Sequence, residues 1–362
     1  MPKILFVASH RPNRSPSQRF RFEQYLSFLQ SHGFEYDFSW IISEKDDRVF
    51  YQPGNFAGKA LIFLKAGIRR LRDLLILSDY DIVFVQREAF MTGSSLFERM
   101  YALSNAKLVF DFDDSIWLLD VSHANKHLGW LKNPEKTAEI IRVSDAVIAG
   151  NGYLAEYARA FNNHVVVIPT TIDTDYHKPD ANGTANNQRI CIGWTGSMTT
   201  VRHFTTAEPA LLKLKQKYGD AICFKLFGYG GYENKELDIK GIPWTLEREV
   251  EELKDFHIGI MPLPDDKWSK GKCGFKALQY MAMEIPPVVS PVGVNTEIVQ
   301  HGVNGLVATD TDDWVAKISY LIENPEARKT MGKKARQTVV EHYSVKSQES
   351  VYLNLLTSLV QS

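Results

Sequence analysis

The chain has 362 residues, 44% of them hydrophobic, and its 42 Lys and Arg nearly balance its 43 Asp and Glu. This composition excludes a disordered chain, and the formal net charge of −1 gives no overall attraction to nucleic acid. Three cysteines without a CxxC spacing predict neither a disulfide framework nor a structural zinc site, which favours a reducing, cytoplasmic compartment. We expect Met1–Ala8 to begin a strand rather than a signal peptide, and no long apolar run predicts a membrane-spanning helix.

Short apolar runs alternate with amphipathic segments along the first half of the chain. Most runs are apolar on both faces, as in a parallel sheet that helices cover on each side. They predict strands at Lys3–Ser9, Asp37–Ile42, Tyr80–Gln86, Ala106–Phe112, Asp145–Asn151 and Val165–Thr171. Apolar residues at helical spacing predict helices at Gln18–His32, Phe56–Leu77, Gly93–Ser104, Pro134–Val143 and Tyr153–Phe161.

A polar segment, Asp173–Asn187, interrupts this alternation and has the composition of a linker. The pattern then restarts, with predicted strands at Arg189–Thr195, Cys223–Gly228, Ile242–Thr245, Phe256–Leu263, Pro287–Val292 and Asn304–Thr309. Three final helices are predicted at Asp312–Glu323, Pro325–His342 and Val345–Leu359. Two such series predict an α/β protein with two doubly wound parallel-sheet domains that face each other across a cleft.

Ligands of open parallel sheets bind at the carboxyl ends of the strands, so unusual residues there are site candidates. The segment His10–Arg21 follows the first strand and carries four arginines. A guanidinium group can bind phosphate through two parallel hydrogen bonds, which makes Arg19 and Arg21 candidates for binding an anionic ligand. A solvated loop whose arginines pair with local acids is the alternative.

Acidic residues end the predicted strand Ala106–Phe112. Asp111, Asp113 and Asp114 could bind a metal, act as a base or hold sugar hydroxyls. An acidic helix start is the alternative, but two adjacent acids are more than a helix start needs, so the pattern favours a functional role. It does not by itself establish a metal site.

A loop that contains glycine and lysine, Trp268–Lys276, follows the strand Phe256–Leu263 and begins a helix. The helix dipole attracts phosphate, and Lys272 and Lys276 would add positive charge. The spacing differs from that of a P-loop. Structural lysines on a surface loop are the alternative.

A weaker signal lies at the end of the strand Arg189–Thr195. The segment Gly193–Ser197 precedes a helix that contains Arg202, and glycine there would let a ligand approach the backbone.

The predicted helix Phe56–Leu77 is amphipathic and basic. Its apolar residues share one face at three- and four-residue spacing, and its basic residues lie elsewhere beside Ile62 and Phe63. The apolar face consists of Ala57, Ala60, Leu61, Leu64, Ile68, Leu71 and Leu75, and the basic residues are Lys59, Lys65, Arg69, Arg70 and Arg72. A basic helix that also exposes large apolar residues is suited to an anionic bilayer surface. The alternative is a helix packed in the domain with a solvated basic face.

Several motifs resemble those of the family 4 retaining glycosyltransferases, which have the GT-B fold and use nucleotide-sugar donors. The most specific are Ser144–Gly150 leading to Val167–Asp173, and Gln279–Ala282 leading to Pro287–Gly293, followed by Glu297–Val299 and His301–Val307. The resemblance covers nearly the whole chain. It implies an N-terminal Rossmann-like acceptor domain over residues 1–174, a Rossmann-like donor domain over residues 175–344, and a C-terminal helix, residues 345–362, that crosses back to the first domain.

The resemblance also implies roles for residues at matching positions. The donor would be bound by Gly196, Ser197, Arg202, Gly274, Phe275, Lys276 and Gln279. Asp113 replaces a histidine found in many members and would lie near the donor sugar or the acceptor. We therefore expect Asp113 and Lys272 to be the catalytic residues.

Three positions depart from the family pattern. Gly271 and Gln279 stand where the family has two glutamates, and a glutamine can hydrogen-bond a ribose without supplying charge. Trp194 stands where the family has an arginine, for which Arg202 or Lys272 could compensate.

The sequence predicts a cytoplasmic glycosyltransferase, peripheral on the inner face of the cell membrane, that moves a sugar from a nucleotide diphosphate-sugar to a glycan or lipid-linked acceptor in polysaccharide or glycoconjugate synthesis. No metal or other cofactor is expected, because lysines and the helix dipole would stabilise the leaving diphosphate. The alternatives are a nucleotide-sugar epimerase, a metal-dependent transferase that uses the three aspartates, and a catalytically inactive sugar-nucleotide-binding subunit, which the missing glutamates suggest.

Overall fold

The structure is a computed structural model that describes residues 1–52, 54–118, 133–179 and 189–361. The chain divides into two compact units, one of Met1–Thr170 with Gln348–Ser362 and the other of Thr171–Ser347. Each unit contains a six-stranded parallel sheet, which confirms the predicted pair of parallel-sheet α/β domains. Residues 180–187 of the predicted linker lie outside the described residues.

The sheet of the first unit has the strand order β2-β1-β3-β4-β5-β6. Its strands are β1 (Lys3–His10), β2 (Glu35–Ile42), β3 (Ile82–Gln86), β4 (Lys107–Phe112), β5 (Ala146–Ala149) and β6 (Val165–Val167). The interiors of β1, β3 and β4 are buried because helices cover both faces, as their continuous apolar runs predicted. The last strand is shorter than predicted, since Pro169 has no N–H to donate to a neighbouring strand.

The helices before the linker are α1 (Pro16–Arg19), α2 (Leu26–Ser31), α3 (Glu44–Phe50), α4 (Phe56–Leu75), α5 (Leu96–Ala102), α6 (Glu135–Val143) and α7 (Gly152–Arg159). The single helix predicted over Gln18–His32 is instead α1, a short 3-10 turn at Glu23–Tyr25, and α2. The reason is that Phe20, Arg21 and Phe22 are all buried, and a continuous surface helix cannot turn three successive side chains inward.

The sheet of the second unit has the order β11-β8-β7-β12-β13-β14. Its strands are β7 (Ile190–Thr195), β8 (Ile222–Gly228), β11 (Ile242–Pro243), β12 (Ile258–Met261), β13 (Pro287–Val289) and β14 (Leu306–Val307). A small antiparallel pair of β9 (Glu233–Asn234) and β10 (Ile239–Lys240), which the sequence did not predict, lies outside this sheet.

The helices of the second unit are α8 (Val201–Phe204), α9 (Glu208–Tyr218), α10 (Glu249–Lys254), α11 (Lys267–Lys270), α12 (Phe275–Ala282), α13 (Asn295–Ile298), α14 (Thr311–Glu323) and α15 (Pro325–Thr338). A π-helical turn at Val339–Tyr343 follows α15, and the last helix, α16, spans Val345–Gln361. From Gln348 onward α16 belongs to the first unit, where Tyr352 stacks on Tyr25 at 4.4 Å.

A buried ion pair joins the segment after β1 to the end of β4. The Arg21 Nε and Nη2 atoms lie 3.1 and 2.5 Å from the Asp111 Oδ1 atom, and both side chains are almost fully buried. The Arg21 Nη1 atom donates to the Ile168 carbonyl oxygen, and the Tyr352 hydroxyl donates to the Arg21 carbonyl oxygen. Arg21 thus ties three separate parts of the chain together.

A second buried arginine fixes the orientation of α4. Arg70 is fully buried, and its guanidinium group contacts the Asp73 carboxylate at 2.8 Å, the Ser39 hydroxyl at 2.8 Å and the carbonyl oxygens of Ala8 and Ala89. The inward face of α4 therefore carries Lys59, Ile62, Ala66, Arg70 and Asp73.

This arrangement corrects the prediction of which apolar residues accompany the basic side chains on the outside of the helix, since Ile62 and Phe63 were expected there. Ile62 is buried and Phe63 is half-buried, whereas Leu61, Leu64, Ile68, Leu71 and Leu75 are exposed. The apolar stripe, and not the basic side alone, therefore faces outward. None of the helices in the described part of the chain combines the length and the apolarity that crossing a membrane requires.

Replacing Asp111 with Asn should strongly destabilise the first unit, because the Arg21 charge would remain buried without its partner. We expect a loss of about 3–5 kcal/mol in the free energy of unfolding, measured by urea titration with circular dichroism. The control is Glu44→Gln, which removes an exposed pair with Arg48 and should change that energy by about 0.5 kcal/mol or less. Equal effects of the two substitutions would contradict the structural role of the buried pair.

Candidate functional site

In the second unit, the loop after β7 brings its backbone close to neighbouring groups. A Cβ atom at Gly196 would lie 2.2 Å from the Trp194 ring and 2.7 Å from the Thr200 hydroxyl, so only glycine fits there. The Gly196 N–H donates to the Phe227 carbonyl oxygen, and the Thr200 hydroxyl accepts from the Ser197 N–H. Ser197 itself is exposed at the carboxyl end of the sheet, where a ligand can reach it.

The second loop, between β12 and β13, leads into α12. Gly274 stands immediately before this helix with φ of 69°, and a Cβ atom there would lie 2.2 Å from the Ile298 side chain. Glycine is thus required by both the backbone conformation and the packing. Phe275 and Lys276, the first residues of α12, are half-buried at the positive end of the helix dipole.

A direct hydrogen bond joins α12 to the last residue of β7. The Tyr280 hydroxyl, on α12, accepts from the Thr195 N–H at 2.8 Å, and Tyr280 is fully buried. The start of α12 and the end of β7 are therefore fixed relative to each other by residues of the core.

Lys272 and Lys276 each contact the ring of a tryptophan. The Lys276 Nζ atom lies 5.6 Å from the centre of the Trp194 ring, and the Lys272 Nζ atom lies 5.2 Å from the centre of the Trp268 ring. Both distances are in the range of a cation–π contact. Trp194, which stands where an arginine was expected, therefore supports a positive charge brought by α12.

The charges of three predicted cations act on one buried side chain, His203 of α8. Its side chain is almost fully buried, and its Nδ1 atom has no hydrogen-bond partner among the described residues. The pKa of His203 is lowered to about 4, mainly by burial and in addition by the charges of Lys276, Lys272 and Arg202. The charges of Lys276, Lys272 and Arg202 therefore all act on one neutral imidazole, and Asp266 opposes them only in part. A local excess of positive charge of this kind is suited to an anion.

Gln279 is a predicted donor-binding residue that is buried, unlike Ser197, which is exposed. It is buried in α12, and its Nε2 atom donates to the Glu249 Oε1 atom at 3.4 Å. The same carboxylate oxygen accepts from the Trp244 indole at 3.3 Å, and the other lies 3.9 Å from the His177 Nε2 atom. A carboxylate thus lies beside the glutamine, although the sequence lacks a glutamate at position 279.

The first unit carries its own polar group at the carboxyl end of its sheet. Arg87 follows β3 with φ of 62°, a left-handed conformation that costs a non-glycine residue about 1 kcal/mol. Its Nε atom donates to the Asp113 Oδ1 atom at 2.7 Å, and its Nη2 atom lies 3.5 Å from the Asp114 Oδ2 atom. Asp113 is only partly buried at this edge.

Beside it, His10 at the end of β1 contacts the Tyr51 hydroxyl at 2.6 Å through its Nε2 atom. Burial lowers the pKa of His10 to about 4, and the nearby Arg14 lowers it as well. Arg11 and Arg14 both pair with Asp47. Two of the four arginines of this loop therefore pair with an acid of α3, whereas the alternative interpretation expected a solvated loop paired with local acids.

The structure changes the assignment of three residues of this unit. Arg21, predicted to bind phosphate, is buried against Asp111, so its ligand contact is replaced by a structural one. Arg19 is also mostly buried and lies over the Phe20 ring at 4.9 Å. Burial raises the pKa of Asp111, and Arg21 opposes that shift.

In the described residues, no three His, Cys, Asp or Glu side chains are grouped to hold a metal ion.

Sequence reasoning missed His203, Arg87 and an aromatic group beside the acidic loop. In this group Trp117 stacks on Tyr157 at 3.9 Å and lies 6.0 Å from Tyr153. The position of His203, after Arg202 and near the end of a strand, was the available signal. Arg87 directly follows a buried strand, but nothing in the sequence indicates its left-handed backbone.

Part of the second unit matches a known family. The family model described as glycosyl transferases group 1 matches residues 256–338. This segment contains Lys272, Lys276 and Gln279, and therefore the α12 side of the site. Among curated proteins, no relative matches this chain.

Several solved structures share the architecture of the whole chain. Sucrose-phosphate synthase from Thermosynechococcus elongatus has a TM-score of 0.71 at 12% identity, over 99% of each chain. A glycosyltransferase from Rickettsia africae has a TM-score of 0.70 at 13% identity, over 100% of this chain and 99% of the other. Anabaena HepE in complex with UDP and glucose has a TM-score of 0.63 at 13% identity, over 99% of this chain and 100% of the other.

These likenesses confirm the predicted GT-B fold, and the family match supports the prediction of a glycosyltransferase. The narrower assignment to family 4 stays a prediction.

Proposed function

We propose that this protein transfers a sugar from a nucleoside diphosphate-sugar to an acceptor hydroxyl, with retention of the anomeric configuration. The observation that carries the proposal is the pair Lys272 and Lys276 at the glycine-preceded start of α12, where their charges and that of Arg202 act on the buried His203. When the bond between the sugar and the diphosphate breaks, its electron pair remains on the diphosphate. Fixed positive charge placed there in advance stabilises that transition state.

The comparisons support a nucleotide as the ligand. The segment that carries Lys272 and Lys276 lies within the part matched by the glycosyl transferase group 1 model. Anabaena HepE was solved with UDP-glucose, and a TarM structure holds UDP together with Fondaparinux and alpha-GlcNAc-glycerol. We propose the same ligand class, a nucleoside diphosphate-sugar, for this chain. Lysines and the helix dipole would neutralise the diphosphate without a metal ion.

For the acceptor, we propose a glycan or lipid-linked glycan that binds at the carboxyl edge of the first sheet. Asp113 is held by Arg87 at 2.7 Å, and the aromatic side chains of Trp117, Tyr153 and Tyr157 follow in the same unit. Carboxylates accept hydrogen bonds from sugar hydroxyls, and aromatic rings pack against sugar C–H groups. In this proposal Asp113 orients the acceptor hydroxyl, and no covalent intermediate on the enzyme is required.

Replacing Lys272 and Lys276 with Ala should weaken nucleotide binding. Each charge-assisted hydrogen bond contributes about 1.5–3 kcal/mol, so we expect the Kd for the best nucleotide sugar to rise at least about tenfold. A thermal-shift screen over UDP-, GDP- and ADP-sugars identifies that ligand, and isothermal titration calorimetry gives its Kd.

The matched control is Lys329→Ala with Lys333→Ala, which removes two exposed lysines of α15. This control should keep the wild-type Kd. The donor-site proposal fails if no nucleotide sugar stabilises the wild-type protein at about millimolar concentration.

Acidification should destabilise the second unit partly through His203. The pKa of His203 is lowered to about 4 from an ordinary 6.5, so its neutral form contributes stability that is complete above pH 6.5 and is lost as the pH falls toward 4. Over the whole range from pH 6.5 to pH 4, His203→Asn should lose about 3 kcal/mol less stability than the wild type. Scanning fluorimetry at several pH values measures the difference.

A bound nucleotide sugar should reduce this loss in the wild type, because its diphosphate would offset the surrounding positive charge. The burial of His10 adds a loss of the same sign in both proteins, so the comparison between them isolates His203. Parallel pH profiles of variant and wild type would show that His203 does not titrate in this way.

Asp113→Asn should impair catalysis while leaving donor binding intact. We expect kcat with an accepted glycan to fall about tenfold to a hundredfold, because the acceptor hydroxyl loses its charged partner, and the Kd of the nucleotide sugar to stay within about twofold. Release of nucleoside diphosphate measures turnover.

The same assay separates the alternatives. Donor consumption without any acceptor would indicate hydrolysis or epimerisation, and loss of turnover in EDTA would indicate a metal-dependent transferase. Nucleotide binding without turnover across an acceptor panel would indicate a binding subunit.

A further inference from the structure

The outward face of α4 is an unusually apolar surface. Leu61, Leu64, Ile68, Leu71 and Leu75 are between 51% and 82% exposed, and Ala57 extends the same row. They follow one another at alternating spacings of three and four residues, so they form a continuous stripe along the helix. Single exposed leucines are common, but an aligned row of this length marks an interaction site.

A neighbouring helix enlarges this surface. Leu96, Met100 and Leu103, on and just after α5, are 57%, 38% and 88% exposed at helical spacing. Aromatic contacts connect the two helices, with Phe63 of α4 at 6.0 Å from Phe90 and Phe90 at 5.5 Å from Phe97 of α5. We call the exposed apolar residues of both helices the outer face.

The outer face cannot turn inward by a simple rotation of α4. The opposite side of the helix holds Arg70, whose guanidinium group makes 2.8 Å contacts with Asp73, Ser39 and Ala8 inside the unit. Rotation would break these contacts and leave a buried charge without partners, which is strongly unfavourable. The exposure of the stripe is therefore built into the fold.

The exposed charges of α4 and α5 themselves have one sign. On α4 and α5 the acidic residues Asp73 and Glu98 are buried, whereas Lys65, Arg72 and Arg99 are exposed. Arg69 is half-exposed over the Trp40 ring, and Lys65 is partly balanced by Asp46 at 3.1 Å. An apolar stripe flanked by basic side chains is complementary to a partner that has an apolar layer beneath negatively charged surface groups.

We propose that the outer face binds the surface of an anionic bilayer, with the leucine stripe among the acyl chains and the arginines at the headgroups. A second copy of this chain fits less well, because a symmetric contact would bring the basic flanks of two identical faces together. The inference uses only the first unit and does not depend on the proposed donor chemistry.

Vesicle co-sedimentation tests the proposal with the full chain. Wild-type protein should bind vesicles of phosphatidylcholine with about 30% phosphatidylglycerol, and bind pure phosphatidylcholine vesicles several-fold more weakly. The variant with Leu64→Gln, Ile68→Gln and Leu71→Gln should lower the partition coefficient at least about tenfold, because three apolar side chains no longer enter the bilayer. Its matched control is Tyr320→Gln with Val340→Gln, exposed apolar residues of the second unit.

The charge contribution is tested separately. Arg72→Gln with Arg99→Gln should reduce binding to the anionic vesicles several-fold without changing binding to phosphatidylcholine, and salt at about 0.5 M should mimic this loss. The matched control, Lys329→Gln with Lys333→Gln, removes equal charge from α15 and should bind as the wild type does. Equal binding by the apolar triple variant and the wild type would overturn the proposal.

Two further measurements keep the outcome interpretable. The melting temperature and circular dichroism spectrum of each variant without nucleotide should equal those of the wild type, which shows that the variants are folded and keeps this test independent of the donor site. Light scattering after size exclusion reports the oligomeric state. A wild-type dimer that the triple variant converts to a monomer, without vesicle binding by either, would assign the outer face to self-association and overturn the bilayer proposal.

Discussion

The first unit depends on one constraint, which is that a guanidinium group in a protein interior has to be paired. Arg21 meets it through Asp111 and the Ile168 carbonyl oxygen, and Arg70 meets it through Asp73, Ser39 and two backbone carbonyl oxygens. Removing water from such a charge costs several kcal/mol unless hydrogen bonds replace the lost hydration. Each arginine therefore fixes the elements that supply its partners, and the position of α4 and of the end of β4 follows.

Sequence reasoning succeeded where a local pattern decides the structure and failed where the contacts of distant residues decide it. The strands were predictable, because a sheet covered on both sides needs continuous apolar runs, and those runs are visible without knowledge of the fold. The orientation of α4 was not predictable from periodicity, which shows that a helix has two faces but not which one is buried. The deciding partners of Arg70 are Ser39, Ala8 and Ala89, and the sequence does not show that these distant positions meet.

The candidate site shows a similar division. Lys272 and Lys276 were identified because glycine and lysine at the start of a helix after a buried strand are suited to phosphate, and this depends only on local sequence. Arg21 satisfied the same kind of local rule, yet its side chain enters the core, because Phe20 and Phe22 on either side of it are buried as well. His203 was missed because an isolated histidine gives no signal until the structure brings Arg202, Lys272 and Lys276 around it.

Trp194 and Gln279 differ from the residues that the resemblance to family 4 glycosyltransferases implies. Neighbouring residues nevertheless supply the charges that these two positions lack. Trp194 removes an expected positive charge from the β7 loop, but its ring lies under Lys276 of α12, so a cation still occupies that part of the site. Gln279 removes an expected carboxylate, and Glu249 places one beside the same side chain from α10. Since transition-state stabilisation depends on the field at the reacting atoms, and not on which residue supplies it, these substitutions are compatible with a working site. The donor binding of the lysine variants is therefore more informative about function than the identity of any single motif residue.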